Sequence, residues 1–371
     1  MNKLSVLLLI FLSISSCTNK KKEDTTKSVQ EKITYASGFT IEHTEHYTIV
    51  HVLNPWDTTR ILHSYILIDR DKPQPESLPA GDIVRVPVNN IACLSSVDAS
   101  IIEMLGDLDK IKAIAETRYV KMPVLRKGLE EGRITDIGEH ASLNIERLLE
   151  VSPDIIIVSP YQNMGYGKLE TTGISIVECA SYMEDTPLGR AEWIRFIATF
   201  LKKEQEAAAI MDRIAQEYLS LKEKTAQVTS RPTIFSEKKY GQVWYVPGGK
   251  SYMAHFFEDA GADYIWKDDI HTGSLNLDFE TVYDKAENAD YWMIKADEDI
   301  TYKQLESESS AYTWFKAWKE RKIIFSNTAR NNYYEEGVMS PDKILKDLIH
   351  IFHPEIISEE YAAQYYEWMK E

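Results

Sequence analysis

Residues 187–228 read PLGRAEWIRFIATFLKKEQEAAAIMDRIAQEYLSLKEKTAQV and form the longest helical pattern in the chain. Between Gly189 and Pro232 there is no further glycine or proline, and strong helix formers dominate. Apolar residues recur at helical spacing from Trp193 to Leu221. A helix of about 35–40 residues is roughly 50–60 Å long, at 1.5 Å per residue. The pattern therefore predicts either a surface helix of one large domain or a helix that joins two domains.

Length and charge narrow the class of protein. The chain has 371 residues, which is enough for two domains with complete cores. Its 44% apolar and 27% charged residues are typical of a soluble globular protein. The net charge of −16 argues against a surface that binds nucleic acid and against a polybasic membrane-docking patch.

The N-terminus predicts secretion. Residues 4–12 are an apolar run that follows Lys3 and is too short to span a bilayer, so we interpret residues 1–16 as a signal peptide. A pair of serines then precedes Cys17, as in the bacterial lipobox, and this predicts lipidation of Cys17. An ordinary signal peptide with an incidental cysteine is the alternative. Residues 17–32 are polar and are predicted to form a flexible tether.

Two further cysteines, Cys93 and Cys179, remain. They either pair in an oxidising compartment or are two buried free thiols, and sequence alone does not decide between these. Neither belongs to a spacing that is typical of a metal site, so no resident metal site is predicted.

The rest of the chain falls into three parts around the long helix. Residues 33–81 are rich in β-branched and aromatic residues and are predicted to form a hairpin or meander packed on the next domain. Strand and helix patterns alternate over residues 82–186, and the alternation restarts over residues 231–371. Such alternation predicts an α/β fold with mostly parallel sheets. The predicted architecture is therefore two α/β lobes bridged by one long helix at 187–230.

A short internal repeat supports two similar lobes. Asn144 suits a helix N-cap and is followed two residues later by Glu146, before a helix, an aspartate and a strand. Asp278 and Glu280 repeat this order in the second lobe. A carboxylate in the first turn of a helix gains about 0.3–1 kcal/mol from the helix dipole. This gain explains the presence of one such glutamate, but not why a glutamate recurs at the same position in both lobes.

Three groups of motifs then resemble a known family. Leu94-Ser95-Ser96 follows the first strand of lobe one, and Asn144-Ile145-Glu146-Arg147-Leu148-Leu149 precedes Ser152-Pro153-Asp154. In lobe two, Pro247-Gly248-Gly249-Lys250-Ser251 precedes a helix that ends near Gly261. From Asp82 to the C-terminus the chain resembles the bacterial substrate-binding proteins of ABC importers for iron–siderophore complexes, haem and cobalamin. Residues 33–81 are a longer extension than that family usually has.

The resemblance implies a fold and a function. It implies two Rossmann-like lobes bridged by a single long helix, with a small metal–organic ligand bound between them and no intrinsic cofactor. A ferric siderophore is the first choice of ligand, followed by haem and cobalamin. It also implies that Glu146 and Glu280 meet arginines on a permease dimer that has a separate ATPase. We expect a monomeric, non-catalytic protein, anchored by lipid outside the cytoplasm and most simply on the periplasmic side, with little lobe movement on binding.

Ligands of open α/β sheets bind at the carboxyl ends of the strands. The loops predicted there are rich in tyrosine, arginine, serine and histidine, which suit a large and partly planar ligand. Arg118 and Arg330 are candidates to pair with ligand carboxylates or phosphates, and His140 to ligate the metal of haem or cobalamin. The predicted ligand-binding residues are Ser95, Ser96, Arg118, Tyr119, His140, Tyr161, Tyr166, Tyr240, Trp244, Tyr245, His271, Arg330 and Tyr333.

Two other functions stay open at this stage. An anchored hydrolase whose cleft carboxylates act as acid and base is one alternative, but the sequence offers no positioned pair of acidic residues and no GxSxG motif. The stretch PGGKS at 247–251 lacks the first glycine of a phosphate-binding loop, because Trp244 stands in its place. A surface-exposed capture lipoprotein without a permease is the second alternative. In that case the protein would be located on the outer surface of the cell.

Overall fold

The structure is a computed structural model and describes residues 28–371. The predicted signal peptide and Cys17 lie outside the described residues. The first described element is a five-stranded sheet with the strand order β1-β2-β3-β4-β5. Its strands are β1 (Val29–Gln30), β2 (Phe39–His43), β3 (Thr48–Leu53), β4 (Ile61–Asp69) and β5 (Asp82–Val86). Neighbouring strands are antiparallel except β4 and β5, which are parallel.

Two boundaries in this region differ from the prediction. Val29 and Gln30 were predicted to be part of the flexible tether, but they form β1 and pair with β2. Strand β5 was predicted to open lobe one, but it pairs with β4, beginning at Tyr65 opposite Asp82. The N-terminal sheet therefore extends from Val29 to Val86, and we call it the extension. The first strand of lobe one begins at Ile91.

Lobe one contains a five-stranded parallel sheet with the order β12-β11-β6-β7-β8. Its strands are β6 (Ile91–Cys93), β7 (Ile111–Ile114), β8 (Thr135–Asp136), β11 (Ile155–Val158) and β12 (Ser175–Glu178), and a hairpin is formed by β9 (Gly138–Glu139) and β10 (Ser142–Leu143). Its helices are α1 (Ser96–Met104), α2 (Pro123–Glu130) and α3 (Ile145–Val151). Alternate residues of the buried strands pack on opposite faces of the sheet, as in a doubly wound fold.

The stretch predicted to be one long helix is two helices, α4 (Pro187–Leu201) and α5 (Glu204–Thr225). The break lies at Lys202, which has the left-handed angles φ 61° and ψ 42°. The carbonyl of Phe200 accepts a hydrogen bond from the backbone N–H of Val88 (3.0 Å). Ion pairs from Lys202 to Asp69 (2.9 Å) and from Lys203 to Asp107 (3.6 Å) fix the turn. Tertiary contacts therefore end α4 where the local sequence would have continued it.

Helix α4 is the element that bridges the lobes. It contacts α1 of lobe one and strand β5 of the extension on one side, and the lobe-two helices α6 (Tyr252–Asp259) and α11 (Pro341–Phe352) on the other. Helix α5 packs along α4 and α11. Helix α4 ends against the extension and lobe one, whereas α5 ends in lobe two, where the Tyr218 hydroxyl donates to the Asp259 carboxylate (2.6 Å).

Lobe two is built around a sheet with the order β16-β13-β18-β19-β20, parallel except for its last strand. These strands are β13 (Thr233–Ser236), β16 (Asp263–Tyr264), β18 (Tyr291–Ala296), β19 (Ile323–Asn327) and β20 (Glu367–Trp368). A small antiparallel sheet comprises β14 (Lys239–Tyr240), β15 (Val243–Pro247) and β17 (Ser274–Leu277). The remaining helices are α7 (Phe279–Ala286), α8 (Tyr302–Glu308), α9 (Lys316–Lys319) and α10 (Tyr333–Glu336).

One large hydrophobic core includes residues of the extension, of both lobes and of the bridging helices, and a second, smaller core lies on the other face of the lobe-one sheet. The large core begins in the extension at Phe39, whose ring lies edge-on to Trp193 of α4 (centroids 4.9 Å apart). Phe196 and Phe200 of α4 pack edge-on to Tyr65 of the extension (centroids 6.3 and 5.4 Å apart), and the same core includes buried residues of lobe two. The predicted α/β class, with two lobes of mostly parallel strands and a β-rich N-terminal part, is confirmed. Cys93 and Cys179 are both buried and free.

Candidate ligand-binding cleft

A cavity of about 610 Å³ lies between the end of lobe one, the start of α4 and lobe two. Lobe one contributes the segment around Tyr182 to Asp185, and α4 contributes Arg190. Loops and strands of the small antiparallel sheet form most of the opposite wall. Five tyrosines line the cavity, namely Tyr182, Tyr240, Tyr245, Tyr252 and Tyr334. Aromatic walls of this kind suit a planar or aromatic ligand.

Arg190 supplies the unpaired positive charge of this cavity. Its Nε donates to the backbone carbonyl of Glu184 (2.9 Å), and its guanidinium carbon lies 3.8 Å from the centroid of the Tyr252 ring. In the described part of the chain, no carboxylate oxygen lies within 4.0 Å of its nitrogens. Burial lowers the pKa of Arg190, but arginine remains cationic in proteins. The remaining guanidinium donors are therefore available to an anionic ligand.

The other cations of the cavity already have partners. Lys295 pairs with Glu237, and Lys238 pairs with Glu308 (2.6 Å). The carboxyl group of Asp185 also lines the cavity, and burial raises its pKa. A raised pKa means that the negatively charged form of this carboxyl group is less stable in the cavity than in water. Arg190 is thus the group best placed to pair with a ligand carboxylate or catecholate.

A row of aromatic side chains extends from the cavity along lobe one. The ring centroids of Tyr182 and Tyr161 are 6.1 Å apart, and those of Tyr161 and His140 are 5.5 Å apart. The row leads to a second cavity of about 460 Å³, lined by His140, Met164 and Tyr166 together with apolar residues of α3 and of the hairpin. The two cavities and the row form one extended surface across both lobes.

The predicted ligand-binding residues divide between this surface and other places. Tyr240 and Tyr245 line the first cavity. Tyr161 lies in the aromatic row, and His140 and Tyr166 line the second cavity. The Tyr166 hydroxyl is already engaged, since it donates to Glu178 (2.7 Å).

Two of the predicted residues are in the core. Trp244 is fully buried and donates through Nε1 to the carbonyl of Ser236 (3.0 Å), because adjacent residues of strand β15 point to opposite faces and Tyr245 takes the cleft side. Tyr333 is buried, and its hydroxyl lies 3.2 Å from that of Tyr366. Its neighbour Tyr334 lines the cavity instead. The structure therefore places Trp244 and Tyr333 in the core and not on the walls of the cavity.

The remaining predicted residues have other partners and do not line either cavity. Arg118 pairs with Glu116 and Glu139 and stacks on Tyr119, and Arg330 pairs with Asp299 and Glu367. The Ser95 hydroxyl caps α1 through the N–H of Val97 (3.1 Å), and Ser96 contacts the carboxylate of Glu335. His271 pairs with Asp269, next to the cavity residue Thr272.

Sequence reasoning missed the residue with the clearest electrostatic role. Arg190 lies in the first turn of α4, where it resembles an ordinary charged position of a helix. The sequence did contain a signal for Arg190. Gly189 and Arg190 follow the last strand of lobe one and the helix N-cap Thr186, so Arg190 lies where the chain leaves the edge of the sheet. Tyr252 and Tyr334 were within the predicted cleft loops but were not singled out.

Glu146 and Glu280 occupy matching positions on the two lobes. Asn144 accepts the backbone N–H of Arg147 (3.1 Å) at the start of α3, and Asp278 accepts that of Thr281 (2.8 Å) at the start of α7. Both glutamates lie in the first turn and are exposed. The internal repeat is therefore present in the structure as two capped helices that each present one acidic side chain to solvent.

Two further observations concern metals and membranes. Among residues 28–371, no three histidine, cysteine or acidic side chains cluster as they would around a metal ion. Within the same residues, none of the helices combines the length and the apolar character that a membrane span requires.

Comparison with known proteins places the chain in a family. The pattern of the family described as periplasmic binding protein matches residues 91–327, which include lobe one, the bridging helices and lobe two as far as strand β19. The chain belongs to this family. This periplasmic binding protein is 29% identical to an uncharacterized lipoprotein of Methanocaldococcus jannaschii over 313 residues, which are 78% of this chain and 72% of the relative.

Solved structures show the same fold. A periplasmic haem-binding protein from Pseudomonas aeruginosa superposes with a TM-score of 0.59 at 14% identity, over 76% of this chain and 99% of the other. A protein of an ABC-type Fe³⁺-hydroxamate transport system from Saccharomonospora viridis gives a TM-score of 0.56 at 16% identity, over 72% and 94% of the two chains. Because the identities are low, these likenesses concern the two-lobed fold of this periplasmic binding protein.

Proposed function

We propose that this protein is the substrate-binding component of an ABC importer and captures an anionic iron complex or haem between its lobes. The observation that carries the proposal is the unpaired guanidinium of Arg190 in a cavity walled by tyrosines. A guanidinium suits carboxylate or catecholate oxygens, and the tyrosines suit an aromatic chelator or a porphyrin. Structural relatives that bind haem or belong to a ferric-hydroxamate system support the ligand class.

Charge ranks the candidate ligands. Haemin has two carboxylates and a ferric catecholate complex is negatively charged, so both match Arg190. Ferrioxamine B is a cation and cyanocobalamin has no net charge, so neither offers a net negative charge to the guanidinium. The proposal therefore favours haem or a catecholate complex over a hydroxamate or cobalamin, which narrows the first choice made from sequence.

Binding of four probes tests this ranking. Haemin, the ferric complex of 2,3-dihydroxybenzoate, ferrioxamine B and cyanocobalamin are titrated against wild type, Arg190→Met and Arg190→Lys, with tryptophan fluorescence as the readout. Loss of a charge-assisted contact costs about 1.5–3 kcal/mol, or roughly 10- to 100-fold in Kd. We expect that loss for the anionic probes with Arg190→Met and a smaller one with Arg190→Lys. Equal affinity of wild type and Arg190→Met, or preference for ferrioxamine B and cyanocobalamin over the two anionic probes, would contradict the proposal.

We further propose that Glu146 and Glu280 dock the loaded protein on the permease. Each is exposed at the start of a capped helix, one on each lobe, so the pair matches a partner with two equivalent subunits. Replacing both with alanine is expected to abolish uptake by cells while leaving probe binding unchanged. Glu150→Ala, on an exposed position at the far end of α3, is the matched control. Normal uptake by the double variant would refute this assignment.

Anchoring through Cys17 completes the proposed role. Relatives from Methanocaldococcus jannaschii that are named lipoproteins support it. Cys17→Ala is expected to move the protein from the membrane fraction to the soluble extracytoplasmic fraction, and an unchanged distribution would contradict lipidation. We propose that the protein acts as a monomer and that the ATPase is a separate chain.

A further inference from the structure

The extension is fastened to the start of α4 by two buried carboxylates. Residues 34–36 each donate a backbone N–H to Glu192, at distances of 2.5–3.1 Å. The backbone N–H groups of Ser37 (2.9 Å) and Gly38 (2.8 Å) donate to Glu184. Both glutamates are almost completely buried, with 1% and 6% of their surfaces exposed. Five consecutive backbone donors of the extension are therefore paired with side chains of the adjoining segment.

Glu184 has a second set of bonds, which lead to the cavity. Its carboxylate accepts the indole N–H of Trp193 (3.0 Å), and its backbone carbonyl accepts Nε of Arg190 (2.9 Å). The next residue, Asp185, lines the cavity. Glu184 thus touches the extension through its side chain and the cavity arginine through its backbone.

The approach of the extension to this turn is close. A Cβ atom built on Gly189 would lie 2.7 Å from Thr186 Oγ1 and 3.1 Å from the carbonyl of Tyr35. A Cβ on Gly38 would lie 2.7 Å from Trp193. The extension therefore packs directly against the residue that precedes Arg190, and there is no room for the turn to move toward it.

From these contacts we infer that the extension is part of the ligand site, because it holds Glu184 and so orients the guanidinium of Arg190 into the cavity. Glu184 is a positioning residue, since it acts through Arg190 and does not line the cavity. Fixing Nε on one side leaves the other guanidinium nitrogens pointing to the ligand, and a fixed orientation lowers the entropy lost on binding. The inference rests on the proposed role of Arg190 in binding an anion.

A double-mutant cycle separates positioning from simple fastening. Wild type, Glu184→Gln, Arg190→Met and the double variant are titrated with haemin and with the ferric complex of 2,3-dihydroxybenzoate. We expect Glu184→Gln to weaken binding about 5- to 20-fold in the presence of Arg190. This loss corresponds to part of the free energy of one charge-assisted hydrogen bond. In the Arg190→Met background it is expected to have no further effect. Equal losses in both backgrounds, or none, would overturn the inference.

Glu192→Gln is the matched control. Glu192 fastens the neighbouring residues of the same segment and has no bond to Arg190. It is expected to lower Tm as Glu184→Gln does, but to leave Kd within about two-fold, because fastening alone does not orient the guanidinium. If Glu184→Gln does not fold, Ser37→Ala removes one donor to Glu184, its hydroxyl (3.0 Å), with the glutamate intact, and a smaller loss of affinity is then expected.

A measurement without ligand makes the inference independent of the choice of probe. The Nε proton of Arg190 is followed by nitrogen-15 NMR, because its bond to the Glu184 carbonyl slows exchange with water. Glu184→Gln is expected to accelerate that exchange, and Glu192→Gln is not. An unchanged exchange rate in Glu184→Gln overturns the positioning role even if no probe binds. If exchange responds but Arg190→Met leaves every affinity unchanged, the proposed function fails and the positioning geometry stands.

Discussion

The buried carboxyl group of Asp98 allows a quantitative prediction about stability. Asp98 lies in the first turn of α1 with 2% of its surface exposed, and its Oδ2 has no hydrogen-bond partner within the part of the chain that the structure describes. Burial raises its pKa from 3.8 to about 7, and a hydrogen bond with the Cys179 thiol opposes this only in part. The native protein therefore holds a proton on Asp98 over a pH range in which the unfolded chain has lost it.

The sign and size follow from this difference. Below pH 4 the group is protonated in both states and does not affect stability. Between pH 4 and pH 7 the native state binds more protons than the unfolded state, so the free energy of unfolding falls as pH rises. At about 1.4 kcal/mol per pKa unit, the full loss is about 4 kcal/mol, and it is complete above pH 7. Asp98→Asn removes the ionisation and with it this loss.

Urea unfolding of wild type and Asp98→Asn from pH 4.5 to pH 8 measures the effect. The quantity of interest is the free energy of unfolding of the variant minus that of wild type, because other titrating groups cancel in the difference. We expect it to increase by about 3 kcal/mol across this range, because about 1 kcal/mol of the full loss has already occurred at pH 4.5. Asp71→Asn, at an exposed aspartate, serves as the control and is expected to show no such rise. A difference that stays flat for Asp98→Asn would refute the reasoning.

Two other contacts give predictions of the same kind. Burial alone would lower the pKa of His63, but hydrogen bonds to Glu178 and Asp82 raise it. These bonds therefore stabilise the protein below pH 6.5, and the stabilisation is lost as pH rises through the higher native pKa. His63→Gln is expected to lower Tm more at pH 6 than at pH 8.5, and equal losses would contradict this. The Glu335 carboxylate of lobe two accepts the backbone N–H of Lys121 in lobe one (2.9 Å). Glu335→Ala leaves that donor unpaired at a cost of about 1–3 kcal/mol, so amide exchange at Lys121 is expected to accelerate about 10- to 100-fold, and an unchanged rate would contradict it.

Periodicity and composition were sufficient for the fold class but not for the course of the bridge. The alternation of strands and helices on both sides of residues 187–228 predicted two α/β lobes, because that pattern depends on local burial. The break at Lys202 had no local signal, since neither glycine nor proline lies there. It depends on Val88, Asp69 and Asp107, which are distant in sequence and contact the turn only in the folded chain.

The sequence predicted the loops around the cleft better than it predicted the individual residues that line it. Of the residues chosen from loops at the carboxyl ends of strands, Tyr240 and Tyr245 line the cavity. Single residues failed where a neighbour took the exposed position, as Tyr334 does next to Tyr333. Arg118 and Arg330 were reasonable choices by residue type, but the structure pairs both with carboxylates. The partners of a charged side chain depend on tertiary contacts that a local pattern does not record.

The hydrophobic cores also bear on the surface that a partner protein would contact. Because the main core joins the extension, α4 and lobe two, and a second core holds α3 on the other face of the lobe-one sheet, we expect the first turns of α3 and α7 to keep a nearly fixed spacing. A partner that touches both turns would meet nearly the same footprint on an empty and on a loaded molecule. We therefore expect a partner to recognise the loaded state at the rim of the cleft, where Tyr240 and Tyr334 are exposed and would be covered by cargo.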